Sequence, residues 1–325
     1  MIKLYDCFLY NNEIELLDIR LNLLSNLVDK FVIAWSPYTF TGLKKIESFP
    51  YDLPIMNELN DRVELVILDQ IEGKNAWARE AYSRNALLKG IATADPEDMV
   101  MISDIDELPR PSSLMFIKNQ GVLSKPLTLI QDYYNFKFNY QHVHGRQVIW
   151  AGPVIQRRGS ITSLQNLREQ RWELMTKPSY SIDHAGWHFS YLTKSQSVKE
   201  KLKHFSHQEK DIQVRATVDV EELISLRKGF HDHLHAGSVW AVRDVSSFEC
   251  KELENLICKY PELIVTGSAD SEQVIREKIR WSIWELYAYE HSKILRVCPI
   301  RAVAEELIRR LLKKMEIVIK RQGKG

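Results

Sequence analysis

Asp104 and Asp106 stand two residues apart, directly after the apolar run Val100-Met101-Ile102 and Ser103. In an extended chain both carboxylates face the same side. Two such groups repel each other unless a cation lies between them. Hard divalent ions such as Mn2+ or Mg2+ take oxygen ligands and share them with substrate phosphates. The spacing therefore points to a metal held by Asp104 and Asp106, placed to neutralise a diphosphate leaving group. The competing reading is an exposed turn ahead of a helix, since Pro109 and Pro111 follow. The apolar run before the pair, and Glu107 after it, favour a site.

His184 and His188 bracket Ala185-Gly186-Trp187 in a strand-like stretch. Alternation there puts both imidazoles on one face, with Gly186 allowing close backbone approach. His188 is the expected third metal ligand, with His184 as its substitute; a core histidine is the plain alternative for either. His204, His207 and Glu209 make a weaker group, and His231, His233 and His235 read more simply as a polar loop. Arg84 follows Glu80 by four residues with Asn85 beside it. This is either a solvated i,i+4 ion pair or a polar helix edge that touches a nucleotide. A transfer to a hydroxyl also needs a base, for which Asp183 and Glu209 are the leading candidates and Glu169 the next. Trp150 and Trp172 belong to a dense aromatic stretch, some of it core and some suited to lie against sugar rings.

Residues 4–10, 31–35, 63–68 and 99–102 read as strands, and residues 13–27 and 76–91 as helices with apolar positions at a 3.6-residue period. This alternation is that of a parallel α/β sheet, in which ligands bind beyond the carboxyl ends of the strands. The acidic pair sits at such an end. Residues 127–140 and 147–156 suggest an antiparallel pair, and helices are expected at 195–207 and 220–228. From 271 to 320 the pattern gives two helices broken near Cys298-Pro299. A boundary near 265 separates a domain over 1–265 from a helical extension over 266–325.

Lys and Arg number 44 against 43 Asp and Glu, a net charge of +1, which excludes a dedicated nucleic-acid binder. The four cysteines form no C-x-x-C pair and read as reduced thiols. No apolar run approaches the ~20 residues that span a bilayer, and the first residues enter a strand without the apolar stretch of a signal peptide. A cytoplasmic protein is expected. The stretch 307–324 is a basic amphipathic helix that either lies at the inner face of a membrane or packs its apolar stripe on the domain.

Several stretches together resemble glycosyltransferase family 17. They are Tyr5-Asp6-Cys7-Phe8-Leu9-Tyr10-Asn11-Asn12-Glu13, Tyr38-Thr39-Phe40-Thr41-Gly42, the segment from Ala76-Trp77-Ala78-Arg79-Glu80 to Arg84-Asn85-Ala86-Leu87, Ser103-Asp104-Ile105-Asp106-Glu107-Leu108-Pro109 and Ala185-Gly186-Trp187-His188-Phe189-Ser190. In order and spacing they cover residues 4–210. The resemblance implies a GT-A fold, which is a Rossmann-like nucleotide-sugar-binding sheet, with a UDP-linked N-acetylglucosamine donor, a divalent metal, a glycan acceptor and inversion at the anomeric carbon. It implies Asn12, Glu13, Arg79, Arg84, Asn85 and Asp104 on the donor. Trp35 stands where the family usually carries an acidic residue near the donor base. Two other functions stay open: a sugar-phosphate nucleotidyltransferase, which would want a Gly-rich basic loop where Leu9-Tyr10-Asn11-Asn12 stands, and a catalytically inactive glycan-binding module.

Overall fold

The computed structural model describes residues 2–121, 123–145, 148–192, 219–229 and 237–295, with side chains as far as Trp284 in the last helix. The expected helix at 195–207, the break at Cys298-Pro299 and the basic stretch 307–324 lie outside these residues. So do His204, His207, Glu209, His231, His233 and His235.

The first hundred residues build a parallel sheet. Strands β1 (Leu4–Leu9), β2 (Lys30–Trp35), β3 (Val63–Ile67) and β4 (Met99–Asp104) run parallel in the order β4-β1-β2-β3. β1 and β4 are buried on both faces, which is why their sequences are continuous apolar runs rather than alternating ones. Leu4 and Phe8 pack on one side with Leu17, Leu21 and Leu24 of α1 (Ile14–Leu24), and with α2 (Pro54–Leu59) beyond. Tyr5 and Cys7 face the other side, where Ala86 ends α3 (Ala76–Ala86). The start of α3 is fixed by Asn75, whose side chain accepts from the backbone N–H of Ala78, satisfying one of the helix's open donors.

Beyond β4 the sheet turns antiparallel. β8 (Ile149–Arg157) lies against β4, then come β6 (Leu127–Asn135), β7 (Tyr140–His144) and β11 (Val239–Val242). The antiparallel pairing expected between the two aromatic stretches is present as β6 with β8. After β4 the chain makes a tight turn into β5 (Glu107–Pro109) and then α4 (Pro111–Gln120). β9 (Ser181–Ile182) and β10 (Gly186–Ser190) pair with β6, and β10 also pairs antiparallel with β5. On the α3 face, α5 (Leu164–Glu169) and α6 (Arg171–Met175) bury Leu164, Leu167 and Leu174.

The later helices fasten to this body. α7 (Val220–Ser225) packs Val220 and Ile224 against Tyr133, Tyr140 and Trp240. α8 (Lys251–Ile257) lies on α1, and just after it the Tyr260 hydroxyl donates to Asp18 Oδ2 at 2.7 Å. α9 (Glu272–Leu295) is anchored beside β11: Asp270 accepts from the Val242 N–H at 2.9 Å, and Ser282 donates to the Gly237 carbonyl at 2.6 Å. Among the described residues no helix is long and apolar enough to cross a membrane.

β10 depends on a glycine at its first position. A Cβ on Gly186 would sit 2.2 Å from the Leu108 carbonyl oxygen and 2.9 Å from Pro109 Cα, both backbone atoms of β5. The Gln131 side chain donates to that same carbonyl at 2.9 Å, closing the junction of β5, β6 and β10. Gly186→Ala should therefore destabilise the fold by about 1–3 kcal/mol, the usual cost of overpacking. Urea unfolding reads this directly, and an unchanged midpoint would mean that the strands are not held this close.

Candidate active site

The turn after β4 is held from below by one buried arginine. Arg20 lies on α1, and neither its side chain nor that of Asp6 on β1 is exposed to solvent. Its Nε and Nη2 donate to the two Asp6 carboxylate oxygens at 2.8 and 2.7 Å. Nη2 also reaches Ser103 Oγ at 2.5 Å. Nη1 then donates to the backbone carbonyls of Asp104, Ile105 and Glu107, at 3.1, 3.3 and 2.9 Å. Three carbonyls converge because the chain reverses there, and a guanidinium can serve them because its five N–H donors are fixed in one plane. Asp6 cancels the charge and sets the plane.

Asp104 points the other way, toward the α3 face. Its Oδ1 accepts from Arg84 Nη2 and its Oδ2 from Arg168 Nη2, each at 2.9 Å. Arg84 is completed by Glu80 and Gln165, each at 2.6 Å, and Arg168 by the Gly152 carbonyl at 2.7 Å and by Glu107. Burial opposes the charge on Asp104, but Arg168 and Arg84, with Arg171 behind them, hold its carboxyl well below the usual carboxylate range. Glu107 is fully buried and also accepts from Trp150 Nε1 at 2.6 Å and from the Asp104 N–H at 3.1 Å. Burial pushes its carboxyl up, against the pull of Arg168.

Asp106 belongs to a different neighbourhood. Its Oδ1 lies 3.7 Å from His188 Nδ1, and its backbone carbonyl accepts from the Phe189 N–H at 2.9 Å. His188, on β10 opposite Glu107, is buried and packed against two aromatic rings. Trp150 lies parallel to it at 4.4 Å, and Tyr133 at 5.3 Å. Half-exposed Trp172 meets Trp150 edge-on at 5.2 Å.

The expected triad of Asp104, Asp106 and His188 is not assembled as one ligand set. Among the described residues no three His, Cys, Asp or Glu side chains converge where they could hold a metal ion. The reason is the pair of guanidiniums that take both oxygens of Asp104. Nor do His184 and His188 share a face. β10 begins only at Gly186, and His184 sits before it in a left-handed turn with φ 49°. Its exposed ring contacts Asp132 at 3.1 Å. Asp132 alternates along β6 with Tyr133, the residue that stacks on His188, so the two histidines are directed to opposite faces.

The other expected residues divide. Arg84 is in the cluster, but Asn85 is not: its side-chain oxygen accepts from Ser163 Oγ at 2.9 Å and the Gln165 N–H at 3.1 Å, so it organises the start of α5. Arg79 donates to the Phe40 carbonyl at 2.9 Å and supports the loop over the ends of β1 and β2. Asn12 takes a left-handed conformation in the turn after β1 and donates to Glu47 at 2.9 Å, while Glu13 accepts from the Asn11 N–H at 2.9 Å. Under that loop, Leu9, Trp35, Phe40, Lys45 and Ser83 line a narrow cleft. Burial pulls Lys45 down to about 8, against the opposing charges of Glu13 and Glu47. Asp183 is exposed just before the left-handed turn at His184 that leads into β10. Glu169 is exposed beside Arg168 and accepts from Gln165 at 2.8 Å.

Arg20, Arg168 and Arg171 were not singled out by the sequence reading. Asp6 and Arg20 carry a signal in retrospect, as the only charged side chains of β1 and of the middle turn of an otherwise apolar helix face. Arg168 carries none, since its carboxylate partners lie more than 60 residues away. Arg20→Leu should cost about 3–5 kcal/mol, because it leaves Asp6 buried and uncompensated. Arg20→Leu with Asp6→Leu should recover only part of this, since three carbonyls of the turn remain without their donor. A double-mutant cycle by chemical denaturation measures that residue, and complete recovery would reduce the network to a simple ion pair.

Comparison with known proteins fits this architecture. Residues 1–227 match the sequence profile of Glycosyltransferase family 17. The chain is 23% identical over 219 residues to beta-1,4-mannosyl-glycoprotein 4-beta-N-acetylglucosaminyltransferase of Rattus norvegicus, a match covering 59% of this chain and 40% of that one. The Homo sapiens protein of the same name is 22% identical over 219 residues, covering 59% and 41%. This chain thus spans well under half the length of the curated relatives it matches. Among solved structures, S. aureus TarS 1-349 superposes with a TM-score of 0.31 at 12% identity, covering 71% of this chain and 72% of that one. The superposition is loose and adds nothing to the topology above. Because the profile runs from β1 through α7, across well over half of the residues, the chain belongs to glycosyltransferase family 17.

Proposed function

We propose that this chain is an inverting, metal-dependent glycosyltransferase that moves N-acetylglucosamine from a UDP-linked donor to a hydroxyl of a glycan. The observation that carries the proposal is the fixed turn at the carboxyl end of β4. It holds one acidic side chain on an arginine cluster and the other 3.7 Å from a buried histidine. Family membership supports sugar transfer, and the relatives' name supports the sugar.

Asp106 and His188 fit a divalent ion as a pair. Ligands about 2.0–2.2 Å from one ion can stand 3.7 Å apart, as these two do. Asp104 is left out of the set. An ion that keeps few protein ligands fills its remaining positions with phosphate oxygens and water. Mn2+ or Mg2+ bound there would supply positive charge at the diphosphate, where negative charge grows as the sugar departs. The chain's own residues supply the rest. Arg20 prevents the turn from shifting, Trp150 and Tyr133 fix the imidazole plane, and Asp104 keeps Arg84 and Arg168 in register. The acceptor proton passes to a carboxylate as the hydroxyl attacks the face opposite the diphosphate. Glu169, beside Arg168, is the first candidate among the described residues, and Glu209 is the second candidate outside them. Asp183, exposed ahead of β10, is a further candidate. Glu169→Gln and Glu209→Gln should be distinguished by which one removes the acidic limb of the pH–rate profile, the limb set by protonation of the base.

The direct test is release of nucleoside diphosphate from UDP-N-acetylglucosamine by the full chain, with Mn2+ and a panel of glycan acceptors. Acceptor-dependent release should stop in EDTA and should fall at least about 100-fold in Asp106→Ala. His188→Ala should weaken the apparent Mn2+ affinity, while His184→Ala leaves it unchanged. Full activity in EDTA would remove the metal from the mechanism. Release of pyrophosphate would indicate a nucleotidyltransferase instead, and donor binding without turnover an inactive binding module. Proton NMR of the product linkage should show an inverted anomer; a retained one would demand a covalent nucleophile or a front-face reaction.

A further inference from the structure

Three arginines gather beside Asp104, and two of them are matched by carboxylates. Arg84 pairs with Glu80 and Asp104, and Arg168 with Asp104 and Glu107. Arg171, one turn after Arg168, is different. Among the described residues no carboxylate lies within ion-pair distance of it, and its buried Nε, like those of Arg84 and Arg168, has no hydrogen-bond partner. Its Nη1 donates only to the Arg168 carbonyl, at 3.1 Å. Its guanidinium lies 5.1 Å from the ring centre of Trp172, which abuts Trp150 and through it His188. The side chain is only partly exposed, and burial together with the charge of Arg168 pulls it down to about 10. Glu107 and Asp104 act on this cation only from a distance, their oxygens being in contact with Arg168 and Arg84, so an anion in direct contact would stabilise it further.

We propose that Arg171 binds the diphosphate of the nucleotide-sugar donor and holds the departing nucleoside diphosphate, so that the leaving group is neutralised by a guanidinium as well as by the metal. The inference rests on the glycosyltransferase reading above and adds the donor-binding residue that reading lacks. A planar guanidinium offers two parallel donors to phosphate oxygens. Fixed positive groups are most effective where charge develops during the reaction. Arg84 and Arg168 cannot turn outward without abandoning Asp104, whereas Arg171 gives up one bond, to the last turn of α5.

Calorimetric titration of the full chain with UDP, GDP, pyrophosphate and the nucleosides uridine and guanosine, in Mg2+, tests this. Arg171→Gln should weaken the preferred nucleoside diphosphate and pyrophosphate about 10- to 100-fold, the range of a lost charge-assisted hydrogen bond. It should leave nucleoside affinity within about two-fold. Arg171→Lys, which keeps the charge and loses the fork, should fall between. A residue kept for binding at a cost in self-repulsion has a further signature: without ligand, neither variant should melt below the parent. Unchanged diphosphate affinity in both variants of a chain that still transfers sugar would overturn this inference and leave the glycosyltransferase reading intact. A parent chain that binds no nucleoside diphosphate would overturn both. A lower melting temperature with parallel losses for nucleosides and diphosphates would make Arg171 a structural residue.

Discussion

The charge pair between Arg20 and Asp6 is the constraint on which the rest of the site depends. It is fully buried, so its position cannot relax toward water, and it joins the first strand and the first helix to the turn after the fourth strand. Burying a charge is tolerable only when it is paired and its remaining donors are used. Here the remaining donors go to Ser103 Oγ and three backbone carbonyls. The turn's backbone thereby becomes part of the core. Its side chains can differ widely in environment while their attachment points stay fixed.

That division of labour explains why two aspartates separated by one residue do not act alike. Asp104 looks across the sheet end to Arg84 and Arg168, and the same Arg168 also holds Glu107. Charge balance in this cluster is local and nearly closed, in a protein whose overall net charge is only +1. Asp106 faces β10, where His188 is buried and stacked on Trp150, with Tyr133 beside both. A D-x-D sequence thus serves as a hinge between an organic-cation site and a histidine site.

Much of this was legible in the sequence, and the reasons for success and failure are physical. Apolar runs ending in polar residues gave the parallel strands, because strands buried on both faces leave no room for alternation. The acidic pair was found because it ends such a run. His184 was misplaced because alternation was extended through a residue that takes a left-handed conformation, and nothing in the residue type announces that. Asn85 was assigned to the donor because its role as an acceptor for α5 depends on residues about 80 positions away. Arg168 escaped notice for the same reason. Partnerships between charges across the sheet are properties of the folded topology, with no period in the sequence.

The pairing of β5 with β10 also sets a timetable. Asp6 and Arg20 are made first and the turn at 103–107 much later, but β5 has its ladder partner only in β10, roughly 80 residues further on. At translation rates of about 5–20 residues per second, that separation amounts to about 4–16 s. During that interval the turn has its arginine but Glu107 and Leu108 have no strand beside them. A nascent chain would therefore carry an exposed, half-built site at the edge of an otherwise finished parallel sheet. Synonymous codon changes that slow elongation between β5 and β10 would lengthen that exposure without altering one atom of the finished protein.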